Sequence, residues 1–147
     1  MAITRFAEVA WNGDLVSGTG SINYVSSGAF TRLPVTWASR TEAHNGRTSP
    51  EELVASAHAS CFSMSLAGRL ARNETPATKL TVTAVITFDK GDAGWRITTS
   101  ELTVVGVVPG LDQATFAELA DGAKDGCPIS QALKGNVELS VVATLAG

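Results

Sequence analysis

Apolar residues recur at every second position from Leu80 to Phe88. Leu80, Val82, Ala84, Ile86 and Phe88 alternate with Thr81, Thr83, Val85 and Thr87, the period of a strand with one buried face. Residues 89–94 are rich in Asp and Gly and predict a turn, and residues 95–108 predict a second long strand, broken by Pro109-Gly110. A final strand over residues 136–145 places Val137, Leu139, Val141 and Ala143 on one face. Near the N-terminus, strand-like runs around residues 4–11 and 15–25 flank Asn12-Gly13. Asn-Gly is a strong hairpin signal, because both residues accept positive φ. A third strand is expected over residues 30–38. Residues 39–49 are polar and aperiodic and read as an exposed loop.

Helix signals fall between these strands. Ser49-Pro50-Glu51-Glu52 marks a start. Ser49 can cap a free N–H, Pro50 fits the first helical position, Glu52 completes a capping box, and both glutamates favour the positive end of the dipole. This helix should run to residue 72, ended by Asn73 and Pro76. Its many small residues, among them Ala55, Ser56, Ala59, Ser60, Ser63, Ala67 and Gly68, predict burial against close neighbours. Asp112 is expected to cap a helix through residue 124, ended by Gly126, and Cys127-Pro128 to start a short one over residues 129–133. The order is strands, long helix, strands, helices, strand. Without regular strand–helix alternation, this predicts an α+β fold with helices on a largely antiparallel sheet. The length of 147 residues, with no repeat or linker, suits one domain over 1–147.

Composition narrows the function. At 44% hydrophobic and 17% charged, the chain is ordinary for a globular protein. A net charge of −3 gives no electrostatic reason to expect nucleic acid or an anionic membrane as partner. No apolar run approaches the roughly 20 residues of a membrane span, and the N-terminus lacks signal-peptide features. A cytoplasmic location is the expectation. In a reducing compartment, paired cysteines are more often catalytic, redox-sensing or metal-binding than structural. Two buried, inert thiols are the competing reading.

The two cysteines, Cys61 and Cys127, sit in different local settings. Cys61 lies mid-helix, more than two turns from the helix start, with no fixed positive charge among its helix neighbours. A nucleophilic thiolate at neutral pH needs such a charge, so an imported arginine is required if Cys61 is reactive. Arg32, Arg40 and Arg47 are the candidates in the preceding segment, and Glu51 is a candidate to hold one of them, although the helix dipole alone accounts for a first-turn glutamate. Cys127 occupies a predicted N-cap, where the dipole and free N–H groups lower a thiol pKa. A thiolate there could resolve a sulfenic acid by closing a disulfide. His58 lies three residues before Cys61, so a His/Cys metal site is imaginable, but the cysteines lack zinc-ligand spacing. Packing or a hydrogen bond is the simpler role for His58, and a solvated loop position for His44. Trp11, Phe62 and Trp95 are most simply core or interface aromatics.

Three stretches carry a family resemblance: Ser49-Pro50-Glu51-Glu52-Leu53, Ala57-His58-Ala59-Ser60-Cys61-Phe62-Ser63-Met64, and Gly126-Cys127-Pro128-Ile129-Ser130-Gln131-Ala132-Leu133-Lys134. Together with Trp11-Asn12-Gly13-Asp14, Asp92-Ala93-Gly94 and Val108-Pro109-Gly110-Leu111-Asp112, they resemble the osmotically inducible protein C (OsmC) branch of the OsmC and organic hydroperoxide resistance (Ohr) superfamily. His58 and Cys-Pro-Ile-Ser-Gln favour the OsmC branch.

The resemblance implies sheets packed on a long buried central helix, in an intertwined homodimer with two active sites at the subunit interface. It implies a thiol-dependent peroxidase of organic hydroperoxides, and more weakly of hydrogen peroxide, in oxidative or osmotic stress defence. By position, Cys61 matches the peroxidatic cysteine and Cys127 the resolving one, which together would form a disulfide. Glu51 matches the glutamate that orients the catalytic arginine, and Arg40 matches that arginine. The loop from Arg40 to Pro50 is slightly longer than the family pattern, and Thr41 stands where an aromatic or aliphatic residue is common, so Arg47 is the fallback. No cofactor or metal is implied. The reductant would be an external dithiol such as dihydrolipoamide or a lipoylated protein. The alternative is a non-catalytic redox sensor or small-molecule-binding protein on the same scaffold.

Overall fold

The computed structural model describes the whole chain, Met1–Gly147. Its internal contacts gather into two compact units, Met1–Leu53 and Val54–Gly147.

The first unit is an antiparallel sheet in the order β1 (Ala7–Asn12), β2 (Thr19–Val25), β3 (Thr31–Val35). Pro34 is tolerated because β3 is an edge strand. The hairpin forms where Asn12-Gly13 predicted it, but the turn is wider than two residues. Asn12 pairs with Thr19, and residues 13–18 form the connection. The Asp14 carboxylate decides this: it accepts the N–H groups of Val16 and Ser17, both at 2.9 Å, and builds its own turn. Gly20 lies under the Trp11 ring. A Cβ there would stand 2.7 Å from Trp11 Cε3 and 2.8 Å from Val35 Cγ2, so only glycine lets the indole lie on the strand.

The expected third strand and exposed loop are both corrected after Val35. The chain turns into a short helix, α1 (Trp37–Thr41), where strand and then loop were expected. Thr36 and Ser39 cap one another, each side chain meeting the other's backbone N–H. Ser39 is buried rather than solvated, and its hydroxyl lies 2.9 and 3.0 Å from the carbonyl oxygens of Thr36 and Thr48. That contact ties α1 to the segment entering the long helix α2 (Pro50–Arg72), whose first turn closes this unit. Ser49 accepts the Glu52 N–H at 3.1 Å, as its capping position predicts, and the Glu52 carboxylate accepts the Thr48 hydroxyl at 2.9 Å.

The second unit holds the rest of α2, then β4 (Lys79–Gly91), β5 (Gly94–Val107), α3 (Gln113–Gly126), α4 (Pro128–Leu133) and β6 (Glu138–Leu145). Strands β4 and β5 run further into the expected turn than their composition suggested. Gly91 pairs with Gly94, which leaves only Asp92 and Ala93 to turn the chain. The sheet order is β4-β5-β6, and β6 lies parallel to β5. A parallel neighbour needs a long crossover, which α3 and α4 supply. Asp112 caps α3 as expected, accepting the Thr115 N–H at 2.9 Å.

The core forms where three elements meet. His58, Phe62, Leu66 and Leu70 recur every fourth residue of α2, and all four are fully buried. The three apolar ones pack with Leu102 and Val104 of β5 and with Phe116, Ala120 and Ala123 of α3. The other side of α2 behaves differently. Ser56, Ala57, Ser60, Met64 and Ala67 are exposed, Met64 at 70%. A single chain therefore buries one stripe of a helix whose small residues predicted burial against close neighbours.

Candidate active site

The first unit builds an arginine held by a carboxylate. Arg40, near the end of α1, forks onto Glu51 in the first turn of α2, with Nε 3.1 Å from Oε2 and Nη2 2.6 Å from Oε1. Two parallel bonds fix the plane of the guanidinium as well as its place. Its carbon also stands 5.4 Å from the centroid of the Trp37 ring, within cation–π range. Only 10% of the Glu51 side chain is exposed, against 28% of Arg40. Of the three candidate arginines, Arg40 is the one that Glu51 holds. Arg32 is exposed on β3 and Arg47 is exposed in the loop. Arg40 also borders a cavity of about 370 Å³ whose other walls include Val9, Trp11, Leu15, Val35 and Trp37. Trp11 thus lines a pocket.

The second unit brings the cysteines together. Cys61 is half-buried on α2, and Cys127 is fully buried where α3 ends and α4 begins. Its backbone is pinned on both sides: its N–H donates to Ala123 O at 2.9 Å and its carbonyl accepts from Gln131 N at 3.0 Å. Both thiols are free, and Cys61 packs against the core cluster that holds Cys127. Their environments differ. Burial pushes the Cys61 thiol up, and donating its proton toward Cys127 pushes it further, against a weaker pull from the Ile129 N–H. Burial also pushes Cys127 up, but hydrogen bonds from the Cys61 thiol, the Ser130 N–H and hydroxyl and the Ile129 N–H outweigh it, so Cys127 ends below its ordinary value. Within this unit the two thiols are pushed in opposite directions, Cys61 up and Cys127 down.

His58, for which packing or a hydrogen bond was the expected role, takes both. The fully buried His58 ring has Nδ1 2.6 Å from Ser100 Oγ on β5 and Nε2 2.7 Å from Ser130 Oγ on α4. Both ring nitrogens are thereby occupied, and no cluster of three or more His, Cys, Asp or Glu is placed to hold a metal ion. His44 is exposed in its loop. Ser100 and Ser130 were not foreseen. Ser130 carried a weak signal, since it lies three residues after an N-cap and can reach back to it. Ser100 carried none, because its contact crosses from a strand to a helix.

The fold is α+β, with a carboxylate-held arginine in the first unit and two free cysteines in the second. Known proteins share this frame. The sequence profile described as OsmC-like protein matches residues 43–142. The chain is 39% identical to the peroxiredoxin OsmC of Escherichia coli (strain K12) over 139 residues, covering 95% of this chain and 96% of that one. It is 29% identical over 96 residues to the organic hydroperoxide resistance protein OhrB of Bacillus subtilis (strain 168), covering 64% of this chain and 68% of the relative. Among solved structures, an organic hydroperoxide resistance protein from Elizabethkingia anophelis superposes with a TM-score of 0.76 at 21% identity, covering 99% of this chain and all of the other. At that identity the likeness is one of fold. The chain belongs to the OsmC-like family.

Proposed function

We propose that this protein is a thiol-dependent peroxidase that reduces organic hydroperoxides, acting as one catalytic domain over residues 1–147. Cys61 as thiolate attacks the distal oxygen of ROOH. The O–O bond breaks, RO⁻ leaves and takes a proton from solvent to become ROH, and Cys61 becomes a sulfenic acid. Cys127 then attacks the Cys61 sulfur, the S–S bond forms, and the S–O bond breaks with loss of water. An external dithiol, dihydrolipoamide or a lipoylated protein, reduces the disulfide. Arg40, oriented by Glu51, polarises the peroxide and stabilises the Cys61 thiolate.

The observation that carries this reading is that two free cysteines pack together at one core cluster, their acidities pushed in opposite directions. Inert buried cysteines have no need of such a contact, whereas a peroxidatic and a resolving sulfur must meet. The kinship with a peroxiredoxin over nearly the whole chain agrees with it. The apolar walls around Arg40 favour a substrate with a hydrocarbon body over hydrogen peroxide. A reducible dithiol centre suits a reducing compartment, which supports a cytoplasmic location. No helix is long and apolar enough to cross a membrane.

The family resemblance also supports a homodimer. So does the uncharged exposed face of α2, which no single chain covers.

The test is steady-state peroxide consumption coupled to dihydrolipoamide. Turnover should be abolished in Cys61→Ser, and kcat/KM should be at least about tenfold higher for cumene hydroperoxide than for hydrogen peroxide. Consumption no faster than that of Cys61→Ser overturns the peroxidase reading.

A further inference from the structure

A serine in the middle of a helix ordinarily turns its hydroxyl back to a carbonyl three or four residues earlier. Ser60 and Ser63 of α2 do so: Ser60 donates to Ser56 O at 2.8 Å, and Ser63 to Ala59 O at 2.7 Å. For Ser65 the same habit would lead to the carbonyl of Cys61. Its hydroxyl goes elsewhere. It crosses to α3 and donates to Ala123 O at 3.1 Å. That same oxygen accepts the Cys127 N–H at 2.9 Å. A carbonyl has two lone pairs, so one oxygen serves both donors. Ala123 O thereby joins the helix of Cys61 to the backbone of Cys127. The register gives this joint its meaning. Ser65 lies one turn beyond Cys61 and so on the same face of α2. Cys61 packs against the core cluster that holds Cys127. The end of α3 also comes close to α2 here. A Cβ on Gly126 would stand 3.1 Å from Arg69 Nη2 and 3.9 Å from Ser65 Oγ, and one on Gly122 would stand 2.8 Å from Arg69 Nη1.

We propose that Ser65 is a positioning residue for disulfide closure: its hydroxyl, held on Ala123 O, fixes the end of α3 against α2 so that Cys127 stands ready for Cys61 once Cys61 is oxidised. The proposal rests on the resolving role of Cys127. Cys127 stands between α3 and α4, and the bonds along those helices set its backbone conformation. Its place relative to Cys61 depends on contacts with α2. Apolar packing there is non-directional, whereas a hydrogen bond has a preferred distance and angle and so selects one register. Ser65 makes and breaks no covalent bond. The S–S bond forms between Cys127 and the Cys61 sulfenic acid, water leaves, and the serine keeps its proton.

The size of the effect follows from what the tie is worth. Removing the hydroxyl leaves Ala123 O bonded to the Cys127 N–H, so no buried carbonyl is stranded and the end of α3 stays helical. What is lost is one neutral hydrogen bond between helices, a factor of roughly two to ten in favour of the closing arrangement.

The experiment uses the full-length protein and one equivalent of cumene hydroperoxide. Two rate constants are read in single turnover, Cys61 oxidation and closure of the Cys61–Cys127 disulfide. Ser65→Ala should lower the ratio of closure to oxidation roughly two- to tenfold while oxidation keeps its rate. The factor should be the same on both sides of neutral pH, because the tie grips a carbonyl and not a sulfur. Ser63→Ala removes a hydroxyl bonded within its own helix and should keep the parent ratio. Ser65→Thr retains the hydroxyl and should stay within about twofold of the parent. An unchanged ratio in Ser65→Ala overturns the proposal, as does an equal fall in Ser63→Ala or in Ser65→Thr. A fall confined to one side of neutrality overturns it too, since the effect would then run through the acidity of a thiol. A parent protein that forms no Cys61–Cys127 disulfide overturns the resolving role of Cys127, and the positioning with it. Closure in the parent with the same ratio in Ser65→Ala overturns the positioning alone.

Discussion

Cys61 and Cys127 are chemically alike and are made unequal by what surrounds them. Cys127 is fully buried at the start of α4 and its thiol is pushed down, while Cys61 is half-buried in the middle of α2 and its thiol is pushed up. This difference was partly legible in the sequence, since a Cys-Pro pair marks a helix start and a mid-helix cysteine has no free N–H groups beside it. The partner of Glu51 was less legible. Three arginines were available, and the choice depends on α1, a short helix hidden in a polar stretch. The proposed role of Arg40 makes a prediction with a definite sign. A guanidinium favours the thiolate, so its loss raises the Cys61 pKa and lowers the reactive fraction at neutral pH. In a Cys127→Ser background, Arg40→Ala should move the midpoint of the alkylation profile of Cys61 upward by about one to two pH units. A profile that does not move would give the role to another arginine.

At the scale of elements, helices whose ends carry local signals were readable, and pairings that depend on distant partners were not. Ser49-Pro50 and Asp112 start α2 and α3 where their side chains can reach the first free N–H groups. The parallel alignment of β6 with β5 has no such local mark, because it depends on how α3 packs back on the sheet. That packing turns on one residue. Gly106 of β5 lies beneath Phe116 of α3, and a Cβ there would stand 2.5 Å from Phe116 Cζ. Phe116 is fully buried, so the ring cannot swing into solvent, and either it or the strand must shift. Gly106→Ala should therefore destabilise the fold by roughly 1–3 kcal/mol, a drop in Tm of several degrees. Adding Phe116→Leu should recover part of that loss, because the smaller side chain vacates the contested space. Thermal unfolding of the two single variants and the double variant measures the coupling directly. Losses that simply add would mean that Gly106 is needed for some reason other than the ring.

At the scale of the whole molecule, the chain leaves apolar surface that an isolated protein has little reason to keep. Ser56, Ala57, Ser60, Met64 and Ala67 give α2 an uncharged exposed face, and Val85, Val105, Val107 and Val142 are exposed on the strands of the second unit, Val142 at 63%. A solvated helix face normally carries charge. Small residues are what a helix needs where another backbone comes close, and an exposed apolar patch of this kind marks an interface. Small-residue composition predicted a helix buried against close neighbours, one chain buries a single stripe of it, and the proposed homodimer would cover the other side. The expected outcome is a sedimentation mass of twice the chain at micromolar concentration. Met64→Glu places a charge in the centre of the uncharged face, where pairing would bury it against a like charge on the partner. The variant should sediment as a monomer with its far-ultraviolet spectrum intact. If the active sites lie at the subunit interface, as the family resemblance implies, its hydroperoxide turnover should fall together with dimer mass as protein is diluted. A parent protein that stays monomeric at high concentration yet turns over at full rate would show that the exposed face of α2 serves something other than a second copy.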